Sequence, residues 1–304
     1  MADAVSVIIV AADSGALLRE CVTRALASSA PVEVILVDNA SADGMPQAVQ
    51  RAHQHDERLR VIYNRRNLGF GPAVNLGARE ARGDALLVLN PDCLVERDTA
   101  ARLLEVLRAH SDAGVIGAVV CDANGAPDPA SRRRDPLLRR SLNEMTGRAE
   151  RKAGNPKYEG VDVPGAIPDE VIEVENVSGA LMLMPRKVFT RLGGFDEGYF
   201  LHCEDLDLCR RARDAGFKVL LAGGVRVRHG KGGSSTHRPV FVSYHKHRGM
   251  WRWFVKFDPA ASRPHWRALV WGGVWLHFLA TVPGLWLRRA LASPNRDWHG
   301  GSNR

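Results

Sequence analysis

Residues 32–44 read VEVILVDNASADG, an apolar run at 32–37 that leads directly into the polar cluster Asp38-Asn39-Ala40-Ser41. A short apolar run rich in β-branched residues predicts a strand, and Asp, Asn and Ser directly after it predict a turn. In an open α/β sheet, ligands bind outside the carboxyl ends of the strands. This stretch therefore predicts both a fold class and the edge of the sheet that carries a site.

The same alternation of strand and helix patterns runs through the first 120 residues. It is typical of right-handed crossover units and predicts an α/β fold with a mostly parallel sheet flanked by helices. The predicted strands lie at 5–11, 32–37, 59–63, 85–89 and 113–120, and the predicted helices lie at 17–28, 45–54, 71–82 and 98–110.

The fourth predicted strand also ends in a polar cluster, Asn90-Pro91-Asp92-Cys93. Because carboxyl ends of parallel strands meet at one edge, we expect the two clusters to converge on one crevice. The glycines at 69, 71 and 77 suggest a dinucleotide-binding loop, but Val74 occupies the place of the third glycine in that motif. An oxidoreductase is therefore disfavoured.

A double glycine, Gly193-Gly194, precedes an acidic segment that extends to residue 207. With a helix beginning near Glu204, Asp205 heads an otherwise apolar stripe, whereas Asp207 falls on the opposite stripe, four residues before Arg211. We expect Asp207 to be an exposed ion-pair partner of Arg211. Asp205 could be a general base held at the entrance of a crevice, or a carboxylate stabilised only by the helix dipole.

The rest of the chain is less regular. Residues 122–170 are rich in Pro, Gly and Arg and predict a long excursion over the surface. Regular structure should resume with an apolar run at 171–184. A short helix should then begin at Pro185 and end at Gly193, and a further strand is predicted at 218–222.

Composition limits the partners and the compartment. The chain has 42 Lys and Arg against 34 Asp and Glu, a net charge of +8, which favours nucleic acid, phosphate esters or acidic membrane. The five cysteines include no C-x-x-C pair, so neither a disulfide framework nor a zinc site is predicted, and a reducing cytosol fits best. The apolar run at 5–12 follows Asp3 rather than a basic segment, which indicates a first strand and not a signal peptide.

The carboxyl-terminal part has a different composition. Aromatic and basic residues interleave at 244–256, and His277 is the only titratable residue of the apolar run 268–287. That length is just enough to span a bilayer. His277, Pro283 and three glycines weigh against a span, whereas flanking arginines and several tryptophans suit a membrane interface. We favour an interfacial helix, with a full span and a buried core helix as alternatives.

An ordered series of short motifs between residues 5 and 255 resembles the family 2 glycosyltransferases of the GT-A fold, particularly bacterial rhamnosyltransferase-like members. Each motif is short, and the order of the series makes it specific. The motifs are VIIV (7–10), VILVDNASAD (34–43), NLGFG (67–71), NLG (75–77), LNPD (89–92), VSGA (177–180), GGFDE (193–197) and EDLDLCRR (204–211).

In that family the first half of the chain binds a nucleotide sugar. The resemblance implies that Asp38 recognises the base or ribose, although Asp38-Asn39 could simply turn the chain. It implies that Asp92 is the last aspartate of a D-x-D motif, which holds Mg²⁺ or Mn²⁺ on the donor diphosphate, with His229 as a weaker metal ligand. Further implied nucleotide-sugar-binding residues are Ala11, Asn39, Asn67, Gly69, Asn75 and Asn90; Asn67 and Asn75 could instead cap the intervening helix.

The resemblance also implies that Asp205 is the general base of an inverting transfer, and that Glu204 orients Asp205 or holds the acceptor, unless it only stabilises the start of the helix. Lys231, in the glycine-rich stretch after His229, would bind phosphate, and Arg248 is a weaker candidate. Two residues at positions expected to serve the donor differ from the family pattern. Asp13 stands where many relatives have asparagine, and Asn90 replaces the first aspartate of the D-x-D motif, which weakens the metal site.

The sequence thus predicts a metal-dependent, inverting hexosyltransferase for cell-envelope glycan synthesis. By resemblance, the donor is dTDP-L-rhamnose or another dTDP- or UDP-sugar, and the acceptor is a lipid-linked sugar or polysaccharide. The alternative is a catalytically silent sugar-nucleotide or glycan-binding module; nucleic acid is disfavoured as a partner because the basic residues suit an anionic membrane equally well. We expect a GT-A domain at 1–257, with halves 1–120 and 121–257, and a helical extension at 258–304 on the cytoplasmic face of the membrane.

Overall fold

The computed structural model describes residues 4–230 and 238–291, with side chains as far as Trp286. The strands of this part are β1 (Val5–Ala11), β2 (Val32–Asp38), β3 (Leu59–Tyr63), β4 (Ala85–Leu89), β5 (Cys93–Leu94), β6 (Ala113–Cys121), β7 (Val171–Glu173), β8 (Leu181–Pro185) and β9 (Lys218–His229). Its α-helices are α1 (Leu17–Leu26), α2 (Met45–Ala52), α3 (Phe70–Glu80), α4 (Thr99–Ala109), α5 (Leu138–Met145), α6 (Arg148–Arg151), α7 (Arg186–Arg191), α8 (Glu204–Asp214), α9 (Pro239–Phe257) and α10 (Pro264–Leu291). Every strand and helix predicted in the first 120 residues is present, and the two-residue strand β5 is additional.

The strands form one mixed sheet in the order β3-β2-β1-β4-β8-β6-β9-β5, and β7 also pairs with β9. β3, β2, β1 and β4 are parallel to one another, and so are β6 and β9. β8 runs antiparallel between β4 and β6. The predicted α/β sheet is confirmed, and its parallel first half brings the carboxyl ends of β1, β2 and β4 to one edge.

Alternate residues of β1 enter two separate cores, one on each face of the sheet. Val7 and Ile9 pack in a core that includes residues of α1 and α4, whereas Ile8 and Val10 pack in a core that includes residues of α3 and α8. Because helices cover both faces, the central strands are continuous apolar runs rather than alternating ones.

The segment 122–170 is a surface excursion, but it is more ordered than its sequence suggests. It contains α5, α6 and 3₁₀ turns at Pro129–Ser131 and Pro156–Tyr158. Its arginines bind the chain itself: Arg140 pairs with Glu175 at 2.7 Å, and Arg134 donates to the Asp162 carbonyl at 2.9 Å. Charge rather than apolar periodicity organises this segment, and hydrophobic spacing does not detect such contacts.

β9 continues to His229, beyond the predicted end at residue 222. Its pairing with β6 shifts between Ala222 and Arg226, so residues 223–225 form a bulge. A Cβ on Gly223 would lie 1.8 Å from the Pro168 carbonyl oxygen, and only glycine fits there. Past this bulge the end of β9 pairs with β5, which the sequence pattern did not predict.

The interleaved aromatic and basic segment forms α9, and α10 packs along it. Within the described part of the chain, one helix is long and apolar enough to cross a membrane, over Pro264–Trp286. Its most apolar window has a mean hydropathy of 1.4 and no buried residue. This exposure argues against the alternative of a buried core helix and leaves the interfacial and spanning alternatives open.

Candidate active site

The predicted crevice lies at the edge where β4 ends and β8 begins. The Asn90 amide donates to the Ala180 carbonyl at 2.9 Å, which joins the turn after β4 to the turn before β8. Asp92 belongs to the first turn, and the Gly179 amide of the second turn donates to Asp205 at 3.1 Å. Asp92 and Asp205, far apart in the chain, therefore lie at the same edge of the sheet.

Asp92 and His229, the two predicted metal ligands, are in contact. β5 pairs with the end of β9 so that Cys93 lies opposite His229, and the Gly230 amide donates to the Asp92 carbonyl at 2.9 Å. His229 Nε2 consequently lies 3.0 Å from Asp92 Oδ1 and 3.3 Å from the side-chain nitrogen of Asn90. Three polar side chains thus converge where the donor diphosphate is expected.

The chemistry of this cluster fits a divalent cation that is shared with a substrate. Mg²⁺ is commonly held by one or two carboxylates together with substrate phosphates. Among residues 4–230 and 238–291, no group of three or more His, Cys, Asp or Glu side chains could hold a metal ion by itself. An ion beside Asp92 would therefore need oxygens of a bound diphosphate to complete its ligands.

Asp205 lies in the first turn of α8 and is held by main-chain and side-chain donors. Its Oδ2 accepts hydrogen bonds from the Gly179 amide and from Arg133 Nη2, each at 3.1 Å. Its Oδ1 accepts from the Leu206 amide at 2.9 Å. The side chain is 14% exposed. Asp205 is thus a carboxylate of fixed orientation that solvent, and so a substrate, can still reach.

Glu204 precedes it and is almost completely buried. Burial, and then the neighbouring charge of Asp205, raise the pKa of the Glu204 carboxyl to about 8. Its Oε2 atom has no hydrogen-bond partner among the described residues. The Glu204 carboxyl therefore holds its proton at neutral pH, so it is poorly suited to accept another one.

Asn39 organises the wall of the crevice on the side of β2. Its amide donates to the Ala11 carbonyl at 2.7 Å, and its side-chain nitrogen donates to Asn67 Oδ1 at 2.9 Å and to the Gly69 carbonyl at 3.0 Å. Asn67 Oδ1 also accepts from the Gly69 amide at 2.9 Å, just before α3. Four of the predicted donor-site residues are thus bonded to one another and shape this wall together.

Asp38 and Asp13 tie the neighbouring loops together. Asp38 is 3% exposed, and its Oδ1 accepts from the Ser41 amide at 2.9 Å, as expected for a turn-forming aspartate. Asp13 has a φ of 52°, and its Oδ1 accepts from the Ala42 amide at 2.7 Å. Aspartate is among the residues that tolerate this left-handed conformation, so Asp13 fits its place after the first strand.

Asn75 lies inside α3 and does not cap that helix. Its side chain donates to the Phe195 carbonyl at 2.9 Å and to Glu197 at 3.1 Å, and it accepts from the Phe195 amide at 2.8 Å. A Cβ on Gly194 would lie 2.5 Å from the Asn75 side-chain oxygen. Asn75 therefore anchors the GGFDE loop, a role that was not anticipated for it.

The prediction that Asp207 is exposed is wrong, although its pairing with Arg211 is present. Asp207 is fully buried and also receives a hydrogen bond from Lys256 of α9 at 2.6 Å. Lys256 and Arg252 bind Asp196 as well. Burial raises the pKa of Asp196, but hydrogen bonds, led by that from Lys256, outweigh burial and lower it to about 2. At Asp207, the stripe that we expected to face solvent instead faces α9.

Sequence reasoning assigned no role to Arg133 or Gly179, which position Asp205. Arg133 reaches it because its main chain pairs with Asn176, at 3.1 and 3.0 Å. Nothing local distinguishes Arg133 from Arg132 or Arg134, so this contact could not be inferred. Lys231 lies outside the described residues, and Arg248 is exposed on α9.

A groove of about 1310 Å³ passes the amino end of β4, where Asp84, Pro185 and Lys187 line it. Its lining also includes Asn75, Gly194 and Glu197, so the groove reaches the GGFDE loop that Asn75 anchors. Neither Asp92 nor Asp205 is among its lining residues.

A mixed α/β sheet with acidic side chains gathered at one edge is an arrangement on which an enzyme can bind a substrate. Residues 6–160 match the family described as "Glycosyl transferase family 2", and the chain belongs to that family. The predicted family and GT-A architecture are thereby confirmed.

Two curated relatives are rhamnosyltransferases. The N-acetylglucosaminyl-diphospho-decaprenol L-rhamnosyltransferase of Mycobacterium tuberculosis is 32% identical over 277 residues, which cover 83% of this chain and 88% of the relative. Rhamnosyltransferase WbbL of Escherichia coli is 25% identical over 222 residues, which cover 62% of this chain and 79% of the relative.

Two solved structures share the fold. GalNAc-T7 with UDP, GalNAc and Mn²⁺ has a TM-score of 0.63 at 20% identity over 88% of this chain, which spans about half, 51%, of that structure. Mannosyltransferase PcManGT from Pyrobaculum calidifontis, with GDP-Man and Mn²⁺, has a TM-score of 0.58 at 19% identity over 95% of this chain and 75% of that one. At these identities the likeness shows the fold alone.

Proposed function

We propose that this glycosyltransferase moves L-rhamnose from dTDP-L-rhamnose to a lipid-linked sugar acceptor in cell-envelope glycan synthesis, with inversion at the transferred carbon. The sugar and the lipid are supported by the two relatives, one of which is named for a diphospho-decaprenol-linked acceptor. The observation that carries the proposal is the position of Asp205, fixed by Gly179 and Arg133 at the same sheet edge as Asp92.

On the acceptor side, Asp205 is the proposed general base. An acceptor hydroxyl is a weak nucleophile until a carboxylate removes its proton, and a base of fixed orientation makes that transfer efficient. Attack from the side opposite the leaving group inverts the anomeric centre. Glu204 holds its proton at neutral pH, so it can donate a hydrogen bond to the acceptor or to Asp205 without competing for the transferred proton.

On the donor side, Asp92 is the proposed ligand of Mg²⁺ or Mn²⁺, with His229 as a second contact and Asn90 beside them. When bound, the cation would neutralise charge on the departing diphosphate. The Mn²⁺ in both structural neighbours supports this assignment. EDTA should abolish transfer, and Mg²⁺ or Mn²⁺ should restore it.

The nucleotide is proposed to lie between the loops after β1 and β2 and the turn before α3. Asp38 would contact the base or ribose through the oxygen that the Ser41 amide leaves free. Ala11, Asn39, Asn67 and Gly69 would form the wall of this pocket through their mutual hydrogen bonds, and Asn75 would act through the GGFDE loop that it anchors.

The enzyme is proposed to work at the cytoplasmic face of the membrane. The exposed apolar surface of α10 and the positive net charge both favour an acidic bilayer surface, which is where a lipid-linked acceptor resides.

Donor-dependent release of nucleoside diphosphate from a panel of dTDP- and UDP-sugars tests the proposal. We expect dTDP-L-rhamnose to be turned over with a polyprenyl-diphosphate-linked sugar as acceptor. Nucleotide binding without turnover of any donor would identify a silent binding module, and a preference for another sugar would refute the rhamnose assignment.

A further inference from the structure

Six aromatic rings form an unbroken row from Phe200, in the loop before α8, to α10, and we define them as the aromatic track. Phe200 lies edge-on to Phe241 at 5.5 Å and stacks on His245 at 4.3 Å. Tyr244 lies 5.2 Å from His245 and 5.6 Å from Trp275. Phe278 closes the row, 6.0 Å from Tyr244 and 5.8 Å from Trp275. Each of these centroid distances is short enough for direct contact between the rings.

One end of the track adjoins the crevice. The Phe200 carbonyl accepts from the Phe70 amide at 2.8 Å, directly after Gly69 of the proposed donor pocket. Phe200 is also five residues before Asp205. A Cβ on Gly249 of α9 would lie 2.7 Å from the carbonyl oxygen of His202, so α9 passes beside the chain between Phe200 and Asp205. The track therefore begins beside the two halves of the proposed site.

The other end of the track joins the exposed surface of α10. Phe241 is 39% exposed and Tyr244 is 40% exposed, which is high for large aromatic side chains in contact with others. Past Trp275 and Phe278, Leu276 and Leu279 are 69% and 64% exposed. The apolar surface is thus continuous from the crevice to the face that we propose for the membrane.

Positive charge borders the same surface. Phe241, Tyr244, His245 and Arg248 share one face of α9 because their spacing is three, four and seven residues. Arg248 and Lys246 are exposed, and neither pairs with an acidic side chain in the described part of the chain. An apolar row with unpaired cations beside it is complementary to an anionic head group that carries a hydrocarbon chain.

We infer that the aromatic track binds the isoprenoid chain of the acceptor next to its diphosphate, so that the lipid is guided from the membrane to Asp205. Arg248 and Lys246 contact the diphosphate itself. This inference rests on the proposed lipid-linked acceptor and adds a lipid subsite to it. It makes the enzyme sensitive to the hydrocarbon chain, not only to the sugar.

The test compares two acceptors in the same detergent micelles; both have the same sugar diphosphate, which is attached to a long polyprenyl chain in one and to a methyl group in the other. The variant is Phe241→Ser with Tyr244→Ser. Met250→Ser is the matched control, because Met250 is 41% exposed on α9 and belongs to none of the contacts of the track. We expect the double variant to lose about tenfold or more in kcat/KM for the long-chain acceptor, and to keep its value for the short one.

Two kinetic results would overturn the inference: an unchanged preference for the long chain in the double variant, or an equal loss for both acceptors. Photocrosslinking with a long polyprenyl diphosphate, photoreactive in its first isoprene unit, gives a readout that needs no turnover. We expect labels on Phe241 and Tyr244 of α9 and on Trp275 and Phe278 of α10. Labels confined to Leu276 and Leu279 would indicate bulk-lipid contact and refute the track. Absence of sugar transfer by the unaltered enzyme, with these labels present, would refute the proposed function instead.

Discussion

Three hydrogen bonds hold the carboxylate of Asp205. The donors are the Gly179 amide, the Arg133 side chain and the Leu206 amide. A carboxylate offers about four lone-pair sites, so one site is left for an acceptor hydroxyl. This residue has the geometry of a base that is prepared before substrate binds.

Loss of Arg133 should loosen this arrangement. Arg133→Met removes one of the two donors to Asp205 Oδ2, and we expect kcat to fall by about tenfold to a hundredfold, with a smaller change in the KM of the donor. Arg132→Met is the matched control, because Arg132 binds only the carbonyls of residues 164–166. Equal losses in the two variants would show that Arg133 acts through general stability.

Glu204 should make the stability of the protein depend on pH. Its pKa is raised in the folded state, from 4.5 to about 8, so between these values the folded protein retains a proton that the unfolded chain releases. The free energy of unfolding therefore falls as pH rises through this window, by up to about 1.4 kcal/mol per pH unit. Glu204→Gln should flatten this dependence in denaturant titrations at pH 5 to 8. An unchanged slope would contradict a neutral, buried Glu204.

The candidate residues that the sequence places at one edge of the sheet are those that stand at the end of an element. Asp92 lies in the turn after β4, and Asp205 lies in the first turn of α8 after a glycine-rich entry. Arg133 could not be found, because three consecutive arginines share its local pattern and only a pairing with Asn176, 43 positions later, selects it.

At the scale of elements, α8 is covered on both sides. Its apolar stripe packs on the sheet, and its acidic stripe binds Lys256 of α9 and the GGFDE loop through Arg211. A helical period identifies one buried face and assumes that the other is exposed, which is why the burial of Asp207 was not predicted. The same limit explains why the charged helices at 138–151 were not predicted, whereas β1–β4 and β6 were predicted to within one residue.

Asp207 should be a major determinant of stability. Asp207→Asn leaves Arg211 and Lys256 without their shared, buried counter-charge, and we expect a loss of about 3–5 kcal/mol in the free energy of unfolding. Asp214→Asn on the same helix is the control, because its pair with Arg210 is exposed and should contribute less than about 1 kcal/mol. Comparable losses of unfolding free energy in the two variants, measured by chemical denaturation, would contradict a special role of Asp207 in stability.

At the scale of the whole molecule, many positively charged side chains bind other groups of the same chain. Several arginines of the segment 122–170 bind acidic side chains and carbonyls of the chain itself, which reduces the free basic surface available to a nucleic acid. The exposed apolar residues are instead concentrated on α10. This distribution favours a membrane surface as the large-scale partner.

Membrane binding should depend on the outer face of α10. A full-length variant with Leu276→Ser, Leu279→Ser and Trp286→Ser should bind anionic vesicles at least about tenfold more weakly, because these side chains are 64–69% exposed. Leu142→Ser, 42% exposed on α5, should bind as the unaltered protein does. Undiminished sedimentation of the triple variant with vesicles would remove α10 as the anchor.

The central claim is that Asp92 and Asp205 serve one crevice, the first on the departing diphosphate and the second on the incoming hydroxyl. The most direct measurement compares sugar transfer and nucleotide affinity in Asp205→Asn and Asp92→Asn. We expect Asp205→Asn to lose about 10²–10⁴-fold in transfer rate while it binds the nucleotide normally, and Asp92→Asn to lose cation-dependent nucleotide affinity as well. Transfer by Asp205→Asn at the rate of the unaltered enzyme would contradict the claim.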